Sequence, residues 1–384
     1  LLPTCASFRG TCMDRATKTG IWIIATGVII AFLYVGRGIL ATFAMAVFLF
    51  LVIEGFATVI DNWSHMMRRG AARAIAVLTV LGGFIGFIAL MANGMSQFGR
   101  DAAEYEEKIN ALIRDAYGLF NMSDAPTLTH LLFNEQGQRF FATIANATGD
   151  LSGDLVVIFI YVAFLFIAQS GWTRKLDNIF PEFEQRSQVR QIGDAARQSI
   201  ETYLWTQTVI SALITALTYA SLLALGVQNA LFLAALIFVL NYIPTVGSIV
   251  AALVPPLFAL VQPEVPAWIP GAAPQDIYIY AAIVFGIVSF WQFSIGNFIQ
   301  PRMMGESLNL SSLVVLLSLA IWGVLWGIPG MFLSAPLTVL MMILFAQSDG
   351  TRWIAILLSS DGNPQGKGAQ RVAVTAAKDR GGTD

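Results

Sequence analysis

Hydrophobic residues occupy most of this chain in long runs that are separated by short polar segments. A helix that spans a bilayer needs about 20 mostly apolar residues. Six runs approach or reach that length and each predicts one spanning helix: residues 21–35, 39–60, 74–95, 155–169, 204–225 and 277–298. The pattern predicts an all-α, polytopic integral membrane protein.

Two further runs, residues 230–261 and 310–345, are too long for one span and too short for two. The first would be ~48 Å long as a single helix, whereas the hydrocarbon core is ~30 Å thick. Both runs are interrupted by proline and glycine, in "NYIPTVG" and "WGIPG". Because proline removes a backbone donor, we expect each run to form a re-entrant hairpin of two short helices. The alternative is one kinked, tilted span per run.

The predicted architecture therefore has about six full spans and two interrupted hairpins, eight hydrophobic segments in all. Polar segments outside the membrane repeat apolar residues at helical spacing, which predicts helices there too. The expected divisions are a cytoplasmic tail (1–20), three spans (21–95), an outer helical loop (96–150), a fourth span (151–170), an inner amphipathic helix (171–203), a transport half with both hairpins (204–345) and a largely disordered inner tail (346–384).

Charge decides the orientation and excludes one class of partner. Only 12% of the residues are charged, about half the share in soluble domains. With both termini in the cytoplasm, the inner segments hold more than twice as many Lys and Arg residues as the outer ones, as the positive-inside rule requires. The net charge of −2 gives no reason to expect nucleic acid binding.

The sequence offers no catalytic, cofactor or metal site. Cys5 and Cys12 precede Met13, and if translation begins there, disulfides, zinc and thiol catalysis are excluded. The histidines, His65 and His130, lie in predicted loops on opposite sides of the membrane. Neither a serine nucleophile motif, nor paired aspartates within spans, nor a phosphate-binding loop is present. The chain is therefore not expected to be an enzyme.

Paired interruptions of hydrophobic runs are a pointer to a transport site, because broken helices expose backbone groups that can bind a polar solute or an ion. The candidate binding residues are Asn241, Pro244, Thr245, Gly247, Asn297, Arg302, Pro329 and Gly330. Further neutral amides lie in apolar surroundings at Gln207, Gln292 and Gln300. The structural alternative is that the amides hold helices together and that Arg302 anchors the chain at the interface.

Glu54 is a carboxylate well inside the second predicted span. Charged groups inside spans are costly and are often functional. Glu54 is therefore the coupling candidate, as part of a proton relay. The alternative is an interfacial carboxylate or a hydrogen bond between helices.

The C-terminal half, residues 201–359, resembles the autoinducer-2 exporter family, also called the PerM-type permeases. The resemblance depends on Asn-x-Ile-Pro-x-x-Gly in "NYIPTVG", on Pro-Arg-x-Met-Gly in "PRMMG", and on the sequence around "WGIPG". The N-terminal half matches only in layout. Thr245 stands where an aromatic residue is more usual, which leaves the substrate open.

The resemblance implies a bacterial inner-membrane transporter with re-entrant hairpins, an elevator-type mechanism and a homo-oligomeric state, with a pentamer among the options. Some family members are linked to autoinducer-2 export and others to sodium–proton exchange. We therefore expect transport of a small polar solute or ion, with an autoinducer-2-like molecule or sodium–proton antiport as the alternatives. A non-transporting scaffold in the lipid bilayer is the competing class, but smooth spans would serve a scaffold equally well.

Overall fold

The computed structural model describes residues 15–63, 69–100, 102–119, 127, 135–262, 266, 274–304, 309–348 and 350–363. These residues are almost entirely helical, and the β-type contact described among them is an isolated bridge between Leu310 and Ser359. The helices are α1 (Arg15–Val35), α2 (Arg37–Trp63), α3 (Arg69–Arg100), α4 (Ala102–Leu119), α5 (Glu135–Ile179), α6 (Phe183–Leu225), α7 (Ala230–Leu240), α8 (Val246–Val261), α9 (Pro274–Ser294), α10 (Gln300–Met304), α11 (Ser312–Phe345) and α12 (Arg352–Leu358), with a π-helical segment (Ile295–Ile299) between α9 and α10.

The hydrophobic helices confirm the all-helical membrane class. Five stretches are long and apolar enough to cross a bilayer: Arg37–Thr58, Arg73–Gln97, Phe183–Leu225, Ile277–Met304 and Ser312–Phe345. Large apolar side chains such as Leu78 and Ile85 are exposed on the outside of the bundle, which suits contact with lipid. The first and fourth predicted spans correspond to shorter apolar stretches, Ile23–Val35 and Asp154–Gln169. The number of full spans stays a prediction.

Several helices continue beyond the hydrophobic runs that predict them. The first part of the predicted inner amphipathic helix (171–203) continues α5 to Ile179, and the rest forms one helix of 43 residues with the fifth span, α6. Charged residues end a hydrophobic run, but they do not end a helix. The helix ends instead at Gly226, whose φ of 75° lies in the left-handed region that glycine adopts without strain. The short helix α12 lies in the segment for which disorder is expected, and residues 364–384 lie outside the described residues.

The first interrupted run folds back on itself. Helices α7 and α8 are separated by a turn, and at their far ends the backbone N–H of Gln228 donates to Gln262 Oε1 over 3.2 Å. Gly247 allows the close approach at the turn, because a Cβ atom there would lie 1.7 Å from the Leu240 carbonyl oxygen. We call α7, α8 and their turn the first hairpin.

The second interrupted run folds back in the same way. Helix α11 bends at Gly327, whose φ of 67° and ψ of −142° are not helical. The indole N–H of Trp322 then donates to Thr338 Oγ1 over 3.2 Å, a contact that a straight helix would not allow. Gly330 again permits the approach, because a Cβ atom there would lie 2.0 Å from the Trp322 carbonyl oxygen. We call residues 312–345 the second hairpin.

Helix α2 packs against α3, α5, α6 and α11 and so connects the N-terminal helices with α6 and the second hairpin. Small and branched apolar residues fill its contact with α3 and α5: Ala46, Ile53, Ala57, Ala76, Ile158 and Val162. A second core joins α6 and the first hairpin to α9: Leu222, Leu233, Phe258, Val284 and Val288. The C-terminal half thus packs as a layer of α6, α9 and the first hairpin.

Candidate functional site

The turn of the first hairpin leaves a backbone carbonyl without a helical partner. Helix α7 ends at Leu240 and is followed by Asn241, whose carbonyl oxygen would accept from the N–H four residues later if the helix continued. Gln207 on α6 takes that place, and its Nε2 donates to the Asn241 carbonyl over 2.6 Å. Both side chains are buried. An amide from a neighbouring helix therefore supplies the hydrogen bond that the Asn241 carbonyl loses where the helix breaks.

Two further amides from α9 and α10 join this pair. Gln292 Nε2 donates to Asn241 Oδ1 over 3.2 Å, and Gln300 Nε2 donates to Gln207 Oε1 over 3.4 Å. We call Gln207, Asn241, Gln292 and Gln300 the amide cluster. It connects α6, the first hairpin and the helical segment that ends in "PRMMG".

The π-helical segment explains how two residues eight positions apart reach one cluster. In a regular α-helix, Gln292 and Gln300 would point ~80° apart around the axis. The segment Ile295–Ile299 lies between them. A π-turn accommodates about one extra residue per turn, which brings both amides to nearly the same face. Such segments are found frequently at functional sites.

One polar group of the amide cluster has no partner among the described residues. Asn241 is 8% exposed, and its Nδ2 is buried without an acceptor. An unsatisfied buried donor costs about 1–3 kcal/mol. The cluster is uncharged and offers a free donor, so its chemistry fits an oxygen atom of a polar solute or of water.

The second hairpin approaches the amide cluster through aromatic residues. The Tyr242 ring stacks on Phe332 with 4.8 Å between centroids. The Tyr242 hydroxyl lies 2.7 Å from Thr208 Oγ1 on α6. Trp322 and Trp326 belong to the same buried cluster as Tyr242. The two hairpin turns are therefore neighbours.

The predicted residues of the first turn have different surroundings. Gly247 is buried against Leu240, and Pro244 is half-buried. Thr245 is exposed and has a φ of 61°, a left-handed conformation that is rare for a β-branched residue. Its carbonyl accepts from Ser248 Oγ at 3.0 Å. Thr245 thus shapes the start of α8, and its hydroxyl lies at the surface of the turn.

In the second turn, Gly330 is buried and Pro329 is half-buried. Asn297 and Arg302, by contrast, are exposed. The amide of Asn297 donates to the Phe293 carbonyl in its own helix, over 2.9 Å. The structure does not bring these two residues into the amide cluster, and their role in binding stays a prediction.

Glu54 is 5% exposed and lies against two arginines. Arg73 Nε on α3 is 3.1 Å from Oε1, and Arg197 Nη2 on α6 is 3.4 Å from Oε2. Gln169 Nε2 on α5 donates to Oε2 over 3.5 Å. The carboxylate therefore links α2, on which it lies, to α3, α5 and α6. Such links between helices are the structural alternative to a proton relay. The relay role stays a prediction.

Sequence reasoning noticed the amides but did not identify their common partner. Gln207, Gln292 and Gln300 stand out as amides in apolar runs, yet only the fold directs all three at the Asn241 turn. Tyr242 and Phe332 were missed, because an aromatic residue in an apolar run carries no distinguishing signal. The helical period could have grouped Gln207 with the polar residues that follow it on α6.

The hydrophobic helices, the two fold-back hairpins and the buried uncharged site together define a multi-pass membrane protein of the transporter class. Residues 23–349 match the model of the AI-2E family transporter. The chain belongs to this family of transporters.

Curated relatives agree with this family assignment. The chain is 26% identical over 333 residues to the AI-2 transport protein TqsA of Escherichia coli K12, which covers 84% of this chain and 89% of that protein. It is 26% identical over 364 residues to "Putative transport protein YhhT" of the same organism, covering 91% and 97%. A similarly named protein of Borreliella burgdorferi is 28% identical over 252 residues, covering 65% of each chain.

Proposed function

We propose that this transporter carries a small, uncharged polar solute and that the amide cluster binds it. The observation that carries the proposal is the free donor, Asn241 Nδ2, buried at the turn of a broken helix. Because that donor needs an acceptor, a solute with hydroxyl or carbonyl oxygens suits the site better than a bare cation. The absence of charged groups from the amide cluster favours the same class of solute.

An autoinducer-2-like signalling molecule is the specific substrate that we propose. TqsA is named for AI-2 transport, and such a molecule presents oxygen atoms of the required kind. The proposed location is the bacterial inner membrane, with both termini in the cytoplasm. This orientation follows from the distribution of Lys and Arg in the predicted loops.

The proposed mechanism is elevator-type alternating access. Its support is the contact between the two hairpin turns, where Tyr242 stacks on Phe332. A stacked aromatic pair can slide or separate without breaking a hydrogen bond between the two hairpins. The amide cluster is linked to α6 and α9, so these helices and the first hairpin would move together with a bound solute.

Efflux from membrane vesicles tests the proposal. Vesicles that contain the protein and are loaded with autoinducer-2 should release it faster than vesicles without the protein. Asn241→Leu should lower the rate by about tenfold, as expected for the loss of one solute hydrogen bond. Gln347→Leu is the matched control, because Gln347 lies exposed just after the end of α11 and, among the described residues, its amide side chain donates to the Ile343 carbonyl and to no other group. Equal rates with and without the protein would contradict the proposed substrate.

Sodium–proton antiport is the second candidate function, and Glu54 is the observation that favours it. Among the described residues, Glu54 is the one carboxylate that is buried. A buried carboxylate inside a span can carry protons. Vesicles with an imposed sodium gradient should then acidify or alkalinise only when the protein is present. A pH change without autoinducer-2 efflux would favour this function over the first.

A further inference from the structure

Helix α6 carries a row of polar side chains on its buried side. Gln207, Ser211, Thr215 and Thr218 follow one another at spacings of four, four and three residues. Residues three and four apart lie on one face of a helix. Ser211 and Thr218 are fully buried, each with 0% exposure. We call Ser211, Thr215 and Thr218 the hydroxyl row, and it begins one turn from the amide cluster.

The hydroxyl row lacks the partners that such hydroxyls usually have. Elsewhere on the same helix, Thr208 donates to the Leu204 carbonyl over 2.7 Å and Ser221 donates to the Leu217 carbonyl over 2.8 Å. The hydroxyl oxygens of Ser211, Thr215 and Thr218 are buried and have no hydrogen-bond partner among the described residues. A buried hydroxyl without a partner is costly, and three in succession require a common explanation.

Helix α9 runs antiparallel to α6 and extends the polar surface. Gln300 contacts Gln207 near one end, and the Trp291 indole donates to Ser221 Oγ over 3.0 Å further along. Ser289 precedes Trp291 by two residues, and its hydroxyl is also buried without a partner among the described residues. Because the two helices run in opposite directions, Ser289 lies beyond the level of Ser221, past the Thr218 end of the hydroxyl row and towards the C-terminal end of α6.

The length of this polar surface suits a path. Gln207 and the hydroxyl row together extend ~17 Å along α6, from residue 207 to residue 218, at 1.5 Å per residue. This is about half the thickness of the hydrocarbon core. The row leads from the amide cluster towards the C-terminal end of α6, which is the outer end in the predicted orientation. Its groups are neutral hydroxyls, which donate and accept, and so match water and hydroxylated solutes.

We propose that the hydroxyl row and Ser289 line a hydrated track, along which water and uncharged hydroxylated solutes pass between the amide cluster and the outer face of the membrane. That the track carries the solute rests on the proposed function. That the track contains water does not depend on it, so hydration can be tested without any transport assay.

Cysteine reactivity provides the test. In full-length protein with Cys5 and Cys12 replaced by serine, single changes Ser211→Cys, Thr215→Cys and Thr218→Cys are treated from outside with a small charged methanethiosulfonate reagent. Only a thiolate reacts, and a thiol ionises only where water reaches it. The matched controls are Ala212→Cys and Ala216→Cys, which lie at the same depth on α6 and are exposed on the outside of the described bundle, where lipid covers them.

The three row positions should react at least about tenfold faster than the two controls. Thr218 should react fastest, because it lies closest to the outer end. Equally slow reaction at all five positions would overturn the proposal and identify the row as dry packing. If one variant does not fold, the other two positions decide. A hydrated track without autoinducer-2 efflux would contradict the proposed substrate but keep the track.

Discussion

At the residue scale, glycine makes both hairpins possible. Gly247 and Gly330 each lie where a Cβ atom would enter a backbone carbonyl of the opposite helical limb, at 1.7 and 2.0 Å. Contacts below about 3 Å cannot be relieved by a side-chain rotation when the neighbour is backbone. Both turns therefore require a residue without a Cβ atom at these two positions, in addition to any need for glycine's conformational freedom.

Gly247→Ala should destabilise the protein by about 1–3 kcal/mol or more, because the limbs of the first hairpin must separate. The measurement is the thermal unfolding midpoint in detergent. Gly286→Ala on α9 is the control, since a Cβ atom there meets nothing within 4 Å, and alanine favours the helix. A variant at Gly247 that is as stable as the control would show that the hairpin limbs are not held this closely.

The residues of the first turn also show how much of the site the sequence could predict. "NYIPTVG" correctly indicated a helix break, because proline and glycine act locally. The Asn241 carbonyl is nevertheless occupied by Gln207, which is 34 residues away in the sequence. A hydrogen bond between distant helices depends on their packing, and local residue patterns do not encode it.

At the element scale, both interrupted runs are helix–turn–helix units that fold back. Hydrogen bonds from Gln228 to Gln262 and from Trp322 to Thr338 join their limbs. Limbs of about 11 and 16 residues in the first hairpin are shorter than the roughly 20 residues of a full span. We therefore expect the first hairpin to enter and leave the membrane on one side.

Single-cysteine labelling checks this topology in a background without Cys5 and Cys12. An impermeant thiol reagent applied to intact cells should label Pro266→Cys and leave Arg302→Cys protected. Pro266 is half-buried and Arg302 is exposed. Gln262 and Glu306 are less suitable reporters, because Gln262 is fully buried and Glu306 lies outside the described residues. Labelling at 302 with protection at 266 would favour a single tilted span.

At the scale of the whole molecule, Glu54 joins the N-terminal helices to the C-terminal half. Its carboxylate contacts Arg73 on α3 and Arg197 on α6, and Arg197 also donates to Glu201 over 2.6 Å. Both guanidinium groups are about half exposed, so water weakens each pair. The cluster nevertheless forms an electrostatic link across α2, α3, α5 and α6. Assembly into a homo-oligomer stays a prediction.

Glu54→Gln should lower stability by about 1–2 kcal/mol, which is less than the loss for a fully buried ion pair because the arginines remain hydrated. Asp177→Asn is the control, since that carboxylate also faces two arginines, Arg186 and Arg190, but is 42% exposed. It should change the unfolding midpoint little. If Glu54 also couples protons, the folded Gln variant should lose any dependence of transport on a pH gradient, whereas unchanged dependence would leave only the structural role.

The sequence by itself determined the membrane class and the positions of the two helix breaks. Hydrophobicity, proline and glycine act over a few residues, so their effects can be read locally. Only the tertiary structure decided which groups meet at the breaks. The amide cluster draws on four separate elements and on a π-helical segment that turns Gln300 towards Gln207. It also decided that Glu54 faces two arginines, because a buried charge takes its partners from whichever helices pack beside it.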